Sequence, residues 1–178
     1  MEIVDLCLGG LKLIAPQVFQ DERGFFFESY RQIAYAAVGM EILFVQDNVS
    51  FSKQGTIRAL HFQSSPGQAK LVSCIQGKIW DVAVDIRKGS PTFGKWEAVE
   101  LDDQTHRQLF IPLGFAHGFC VLSETARVQY KVSSFYDPKT ERSIRWNDPD
   151  FQIAWPISNP ILSPRDQISP FAREVFYD

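Results

Sequence analysis

From Ile79 to Arg87 the chain alternates strictly, with Trp80, Val82, Val84 and Ile86 on one face of an extended strand and Asp81, Asp85 and Arg87 on the other. Arg127 to Ser133 repeats the period, setting Val128, Tyr130 and Val132 against Arg127, Gln129 and Lys131. Further short runs rich in β-branched and aromatic residues predict strands over Phe25–Glu28, Ile42–Ser50, Ile57–Gln63, Lys70–Gln76, Gly94–Leu101, Gln108–Ile111 and Gly118–Val121. Gly, Pro, Asn and Asp punctuate these runs, and Gly77 marks a turn between two of them. One helix is predicted after Ser29-Tyr30-Arg31-Gln32, which has capping-box form and is followed by Ile33, Ala34 and Ala37 before Gly39. A second falls near Pro170–Phe176, and Tyr136–Pro149, rich in Asp, Pro and Asn, reads as a loop. Many short strands with few helices predict an all-β fold, a double-sheet jelly roll of cupin type in preference to an immunoglobulin-like sandwich. No repeat, low-complexity run or linker breaks the pattern, so residues 1–178 read as one unit.

Composition narrows the function classes. The chain is 45% hydrophobic and 22% charged, which is globular and not disordered. Its 18 Lys and Arg against 21 Asp and Glu leave a formal charge of −3, so nucleic acid is not an expected partner and any anionic ligand needs a local cluster of cations. No run approaches the roughly 18 apolar residues of a membrane span, and the first residues lack the basic start and apolar run of a secretory leader. Cys7, Cys74 and Cys120 are odd in number and far apart, which fits free thiols in the cytoplasm rather than a disulfide framework or a zinc site.

Chemistry has few candidates. The histidines are His61, His106 and His117, and imidazole is the natural proton acceptor near neutral pH. Simple alternation puts His61 on a face with Ile57, Ala59 and Gln63, where it is either a base or a hydrogen-bonded core histidine. His117 lies between Gly114 and Gly118, as a ligand contact or a loop histidine, while His106 follows a polar turn and is expected on the surface. The three sit singly: where a metal-binding cupin shows H-x-H, this chain has His61-Phe62-Gln63, so neither metal nor cofactor is expected. Lys70, just inside a β-run, is either an edge-strand surface lysine or an oxyanion stabiliser, and Tyr130, on the apolar side of its strand, needs a polar partner. Together His61, Lys70 and Tyr130 could make a base, an oxyanion stabiliser and an acid. Arg23, Arg58 and Arg165 are the arginines suited to phosphate, unless they are solvated surface charge.

Several segments carry a resemblance: Asp21-Glu22-Arg23-Gly24-Phe25-Phe26, Gln46-Asp47-Asn48-Val49-Ser50, Arg58-Ala59-Leu60-His61-Phe62-Gln63, Lys70-Leu71-Val72, Gly77 through Arg87, and Pro112 through Phe119. Tyr130-Lys131, Tyr136-Asp137-Pro138 with Glu141, Trp146-Asn147-Asp148-Pro149 and Ser163-Pro164-Arg165-Asp166 complete the set. In this order the chain resembles the dTDP-4-dehydrorhamnose 3,5-epimerases, metal-free cupins that act on a nucleotide-linked keto sugar. The resemblance implies His61 as general base with Asp166 as its carboxylate partner, Lys70 as enolate stabiliser and Tyr130 as acid. It implies contacts to the nucleotide sugar from Arg23, Glu28, Gln46, Asn48, Arg58, Lys70, His117, Glu141 and Arg165. It also implies a homodimer with exchanged N-terminal strands, so that Arg23 and Glu28 serve the neighbouring site. The implied reaction inverts C3 and C5 of dTDP-4-dehydro-6-deoxy-D-glucose. The alternatives are inversion at C3 alone on a related dTDP-deoxysugar, or a cupin that binds nucleotide sugars without turnover; a metal-dependent oxygenase is disfavoured by Gln63. Ala59 in place of the more frequent Gly, Phe135 in place of a first tyrosine and Arg165 in place of a frequent Lys depart from the family pattern.

Overall fold

The computed structural model describes residues 1–176. One antiparallel sheet runs in the order β1 (Glu2–Asp5), β2 (Lys12–Ala15), β10 (Gln108–Ile111), β7 (Lys70–Gln76), β12 (Thr125–Val132), β5 (Gln46–Lys53). Facing it is a second, in the order β13 (Glu141–Ser143), β6 (Ile57–Gln63), β11 (Phe115–Val121), β8 (Lys78–Asp85), β9 (Trp96–Asp102). A separate hairpin pairs β3 (Phe19–Asp21) with β4 (Gly24–Phe26). Helices are short: α1 (Gln32–Ala36), α2 (Pro164–Gln167) and α3 (Ala172–Phe176). This is the expected all-β, cupin-like jelly roll.

Three apolar layers hold it. Between the sheets lie Val72, Cys74, Ile79, Ala83, Leu101, Leu109, Phe115, Phe119 and Val128. On the outside of the five-stranded sheet, Ile57, Ala59, Leu60, Phe62, Val82, Val84 and Cys120 are covered by the C-terminal segment through Trp146, Phe151 and Trp155. On the outside of the six-stranded sheet, Ile14, Leu71 and Phe110 pack beneath Tyr35 and Met40, from α1 and the turn after it. The consequence for β8 is an inversion. Its apolar face, with Trp80, Val82 and Val84, belongs to the outer layer, whereas Asp81 shares the inward side with Ile79 and Ala83. The C-terminal layer makes both faces of this sheet interior, so burial does not distinguish them.

Several expectations are corrected. The residue capping α1 is Arg31, in extended conformation and with no side-chain capping bond, so the Ser29 capping box does not form. The predicted loop 136–149 contains β13, which adds Glu141 to the edge of the second sheet opposite Gln63. The short α2 was not foreseen; Ser163 caps it by accepting a hydrogen bond from the Asp166 amide. Lys70 does not lie on an edge strand, because β7 is held between β10 and β12. His106 is half-buried rather than exposed, its ring lying 4.4 Å from that of Phe25 and 4.7 Å from that of Phe27.

Candidate active site

Facing rows of polar side chains between the sheets open a cleft of about 400 Å³. The six-stranded sheet supplies Gln46, Asn48 and Ser50 from β5, Lys70 from β7 and Tyr130 from β12. The five-stranded sheet supplies Arg58, His61 and Gln63 from β6, His117 from β11 and Glu141 from β13.

Alternation predicted that His61 and Gln63 share a face with Ile57 and Ala59. The structure instead turns Ile57 and Ala59 outward into the apolar layer and aligns Arg58, His61 and Gln63 along the cleft. A one-residue bulge is the cause. His117 pairs with His61 and Phe119 with Arg58, so a step of two residues on β11 meets a step of three on β6. Gly118 lies opposite the extra residue, and a Cβ there would come within 2.9 Å of the Arg58 carbonyl oxygen and 2.5 Å of the Ala59 Cβ. The unusual Ala59 methyl thus rests against the one neighbour that has no side chain.

Each reactive group is held by identifiable partners. His61 Nε2 lies 2.7 Å from Asp166 Oδ1, and the Asp166 side chain is buried at the start of α2. A carboxylate only accepts, so Nε2 carries the proton of this bond and Nδ1 is the basic nitrogen. Lys70 is buried, and its ammonium reaches the His61 carbonyl oxygen at 3.4 Å. Burial lowers its pKa to about 8, against the opposing pull of Asp81 and Glu141. Burial raises the Tyr130 phenol, with Arg58 working against the rise and Glu141 with it, so the phenol keeps its proton at neutral pH. At the rim, Glu141 accepts hydrogen bonds from Arg165 at 2.6 Å and from the Tyr136 hydroxyl at 3.0 Å. The Tyr136 amide donates to Gln46, which in turn donates to Asn48 at 2.8 Å. Arg58 is braced by Ser52 Oγ and the Phe51 carbonyl.

Of the residues singled out in the sequence, His61, Lys70, Tyr130, Gln46, Asn48, Arg58, His117 and Glu141 line this cleft, while Asp166 and Arg165 stand directly behind His61 and Glu141. Arg23 and Glu28 do not join them: Arg23 is exposed on the β3–β4 hairpin and paired with Asp21, and Glu28 pairs with Arg31. Sequence reasoning missed Asp81, whose carboxylate accepts from His117 Nε2 at 2.9 Å. The available signal was its parity with Ile79 and Ala83. It also missed Gln68 and Tyr136 on the cleft wall. Among the described residues no group of three or more His, Cys, Asp or Glu is gathered as a metal ion would require.

The family model described as dTDP-4-dehydrorhamnose 3,5-epimerase matches residues 5–174. The chain belongs to this family. A dTDP-4-dehydrorhamnose 3,5-epimerase of Shigella flexneri is 51% identical over 168 residues, covering 93% of each protein. A dTDP-4-dehydrorhamnose 3-epimerase of Streptomyces niveus is 42% identical over 169 residues, covering 94% of this chain and 82% of its own. The crystal structure of the Legionella pneumophila dTDP-6-deoxy-D-glucose-3,5-epimerase in complex with dTDP-4-keto-L-rhamnose superposes with a TM-score of 0.93, at 46% identity over 96% of this chain and 92% of that one. The epimerase family thus supplies the jelly roll, and the cleft between its sheets is where this chain concentrates its titratable groups.

Proposed function

We propose that this protein inverts C3 and C5 of dTDP-4-dehydro-6-deoxy-D-glucose, giving dTDP-4-dehydro-L-rhamnose. One observation carries the reading: His61 and Tyr130 project from opposite sheets into one cleft that also holds Lys70. A sugar ring bound between the sheets meets a base on one face and an acid on the other, which inversion requires. His61 Nδ1 removes the proton next to the C4 ketone, and the electron pair of the broken C–H bond moves into an enolate. The Lys70 ammonium stabilises the enolate oxygen; a donor of this kind is worth roughly 10²–10³ in rate. Asp166 fixes the tautomer of His61 and stabilises the imidazolium. At C5 Tyr130 donates its proton to the opposite face of the carbon, forming the new C–H bond, and at C3 the new proton comes from solvent. The substrate's own ketone is the electron sink, so no redox group is needed, and exchange with solvent takes the proton from His61 and restores that of Tyr130. Arg58, Arg165, Gln46, Asn48, His117 and Glu141 hold the nucleotide sugar, with the arginines on its diphosphate, which explains how a chain of net charge −3 takes an anionic ligand.

A homodimer completes the site in this reading. The β3–β4 hairpin pairs with neither main sheet and exposes Phe19, Phe25 and Phe26, while β5 exposes Val49 and Phe51 on its outer side. Arg23 and Glu28, remote from their own cleft, then reach the partner's. Free Cys7, Cys74 and Cys120 favour the cytoplasm, and no described helix is long and apolar enough to cross a membrane.

Proton NMR of the dTDP-keto sugar in heavy water tests the reaction: deuterium should enter at both C3 and C5. Label at C3 alone would make this a 3-epimerase like the Streptomyces niveus relative, and no label at either carbon would end the epimerase reading.

A further inference from the structure

His117 on the cleft wall belongs to a second imidazole–carboxylate pair, whose carboxylate, Asp81, the reaction as written leaves without a task. His117 stands directly across the strand pair from His61. Its Nε2 lies 3.0 and 2.9 Å from the two oxygens of Asp81. Asp81 is fully buried and accepts no other hydrogen bond from a side chain among the described residues, and His117 itself is 5% exposed. A carboxylate this deep in the interior costs several kcal/mol of desolvation unless charge and hydrogen bonds answer it. One hydrogen bond to a neutral ring does not balance a full charge. The nearby buried cation is Lys70, 6% exposed, which among the described residues has no carboxylate within bonding distance and makes one side-chain hydrogen bond, to the His61 carbonyl. Each buried charge therefore lacks a direct ionic partner among the described residues, and Asp81, one imidazole behind the cleft wall, is the foremost carboxylate favouring the Lys70 ammonium.

We propose that Asp81 is a positioning residue for this site: through His117 it fixes an imidazole with Nδ1 open to the cleft, and its carboxylate is the counter-charge that lets Lys70 serve as an ammonium. The assignment rests on the reading of Lys70 as the oxyanion donor. Since Asp81 can only accept, Nε2 of His117 must donate, and Nδ1 is left as an acceptor with no partner among the described residues. That acceptor suits a sugar hydroxyl, not the enolate oxygen, so the two histidines divide the work: His61 takes protons and His117 orients.

The groups facing Lys70 make Asp81 the strongest anionic influence on it. The neutral phenol of Tyr130 faces it from β12, Arg58 and His61 from β6, His117 from β11 and Glu141 from β13; Asp81 of β8 stands behind His117 and Asp166 of α2 behind His61, and β10 contributes Gln108, Leu109, Phe110 and Ile111, none titratable. Asp81 is the foremost of the charges that oppose the lowering of Lys70 by burial, and Glu141 follows. Glu141 is already engaged by Arg165 and Tyr136. Burial likewise keeps His117 below the ordinary histidine value although Asp81 pulls the other way, so the ring stays neutral at pH 7 and adds no second positive charge beside Lys70.

The test pairs kinetics with spectroscopy. In the wild-type enzyme kcat/KM should fall on the alkaline side of about pH 8 as Lys70 loses its proton. In Asp81→Asn that alkaline limb should move down by about one pH unit, the low end for losing a nearby opposite charge, and in Asp81→Glu it should return toward the wild-type position. A limb that stays in place in folded Asp81→Asn, with activity lowered equally at every pH, would make Asp81 a packing residue and overturn the proposal. Nitrogen NMR of histidine-labelled wild-type protein is independent of any variant's folding: His117 should remain neutral with its proton on Nε2 from pH 7 to 9. An Nδ1–H tautomer, or an imidazolium at pH 7, would equally overturn it. Wild-type protein that exchanges no deuterium into the keto sugar would instead remove the epimerase reading, and the histidine spectra would still decide the His117–Asp81 arrangement.

Discussion

The floor and the rim of the cleft are built on opposite principles. On the floor, Lys70, His117 and Asp81 are almost wholly buried, and the protonation of Lys70 and of His117 is set by desolvation and by the charges around them. At the rim, Tyr136 is 54% exposed, the Arg165 side chain is 47% exposed, and the Tyr136–Glu141–Arg165 contacts are open to water and salt. Charges in a dry, rigid setting act strongly because no solvent reorganises to screen them. Charges at the rim are individually weak and can exchange partners, which suits a surface that must release one ionic contact to take up a phosphate. In the proposed reaction, chemistry falls to the dry region and recognition to the solvated one.

Replacing the floor cation should produce the largest effect. Lys70→Met is expected to lower kcat by roughly 10²–10³-fold, the cost of removing one oxyanion donor. Stability should be unchanged or raised, since an apolar side chain of similar length removes a buried charge. The sign of the pH dependence follows from the lowered pKa of about 8: Lys70 is charged below it and neutral above it. Wild-type kcat/KM should therefore drop about tenfold per pH unit well above 8, and the residual activity of Lys70→Met should lose that limb. Steady-state rates from pH 6 to 10, with thermal melts of both proteins, decide it. A large fall in melting temperature together with an unchanged limb would break the contrast between floor and rim.

Tyr130→Phe is a narrower intervention on the same floor. The ring stays in the apolar layer beside Val128, so the fold should hold, and only the proton is lost. Deuterium exchange at C3 needs a base and an oxyanion donor, both intact, and should persist. Inversion at C5 should fall by about 10²-fold, within the range for a general acid. Equal loss at both carbons, read by NMR in heavy water, would count against Tyr130 as the C5 acid.

How much of this was visible in the chain differs between the same two regions. Strand alternation placed Tyr130 on an inward face and gave β7, β8 and β12 nearly to their ends. His61 and Lys70 stood out as chemistry-bearing residue types, but Asp166 and the convergence of all three were legible only through a motif order that resembles a family, because no local pattern shows that distant segments meet. Alternation failed at β6, where the bulge moves His61 off the face of Ile57 and Ala59; a single inserted residue leaves no mark on composition, and its trace is Gly118 on the neighbouring strand. It misled at β8, where polar Asp81 turned out to be inside and apolar Val82 and Val84 lie beneath a C-terminal layer of irregular chain. The rim was least legible. The segment holding Tyr136 and Glu141 reads as loop by composition, and only three residues of it, Glu141–Ser143, form a strand, by borrowing the edge of β6.

The smallest expected effect belongs to the rim, and it is where the comparison can be made sharpest. Arg165 is held by Glu141 across 2.6 Å, yet half of its side chain faces solvent. Exposed pairs of this kind contribute about 0.2–1 kcal/mol, so Arg165→Ala should shift the melting temperature by no more than a few degrees. If Arg165 meets the diphosphate equally in ground and transition states, its loss should raise KM about three- to tenfold and leave kcat within about twofold, the signature of uniform binding. The wild-type KM should rise with salt, and the variant's should rise less steeply, because screening acts on the contact that has been removed. A drop in kcat as large as that of Lys70→Met would mean that Arg165 fixes Asp166, its neighbour in α2, and through it His61, making this part of the rim continuous with the floor.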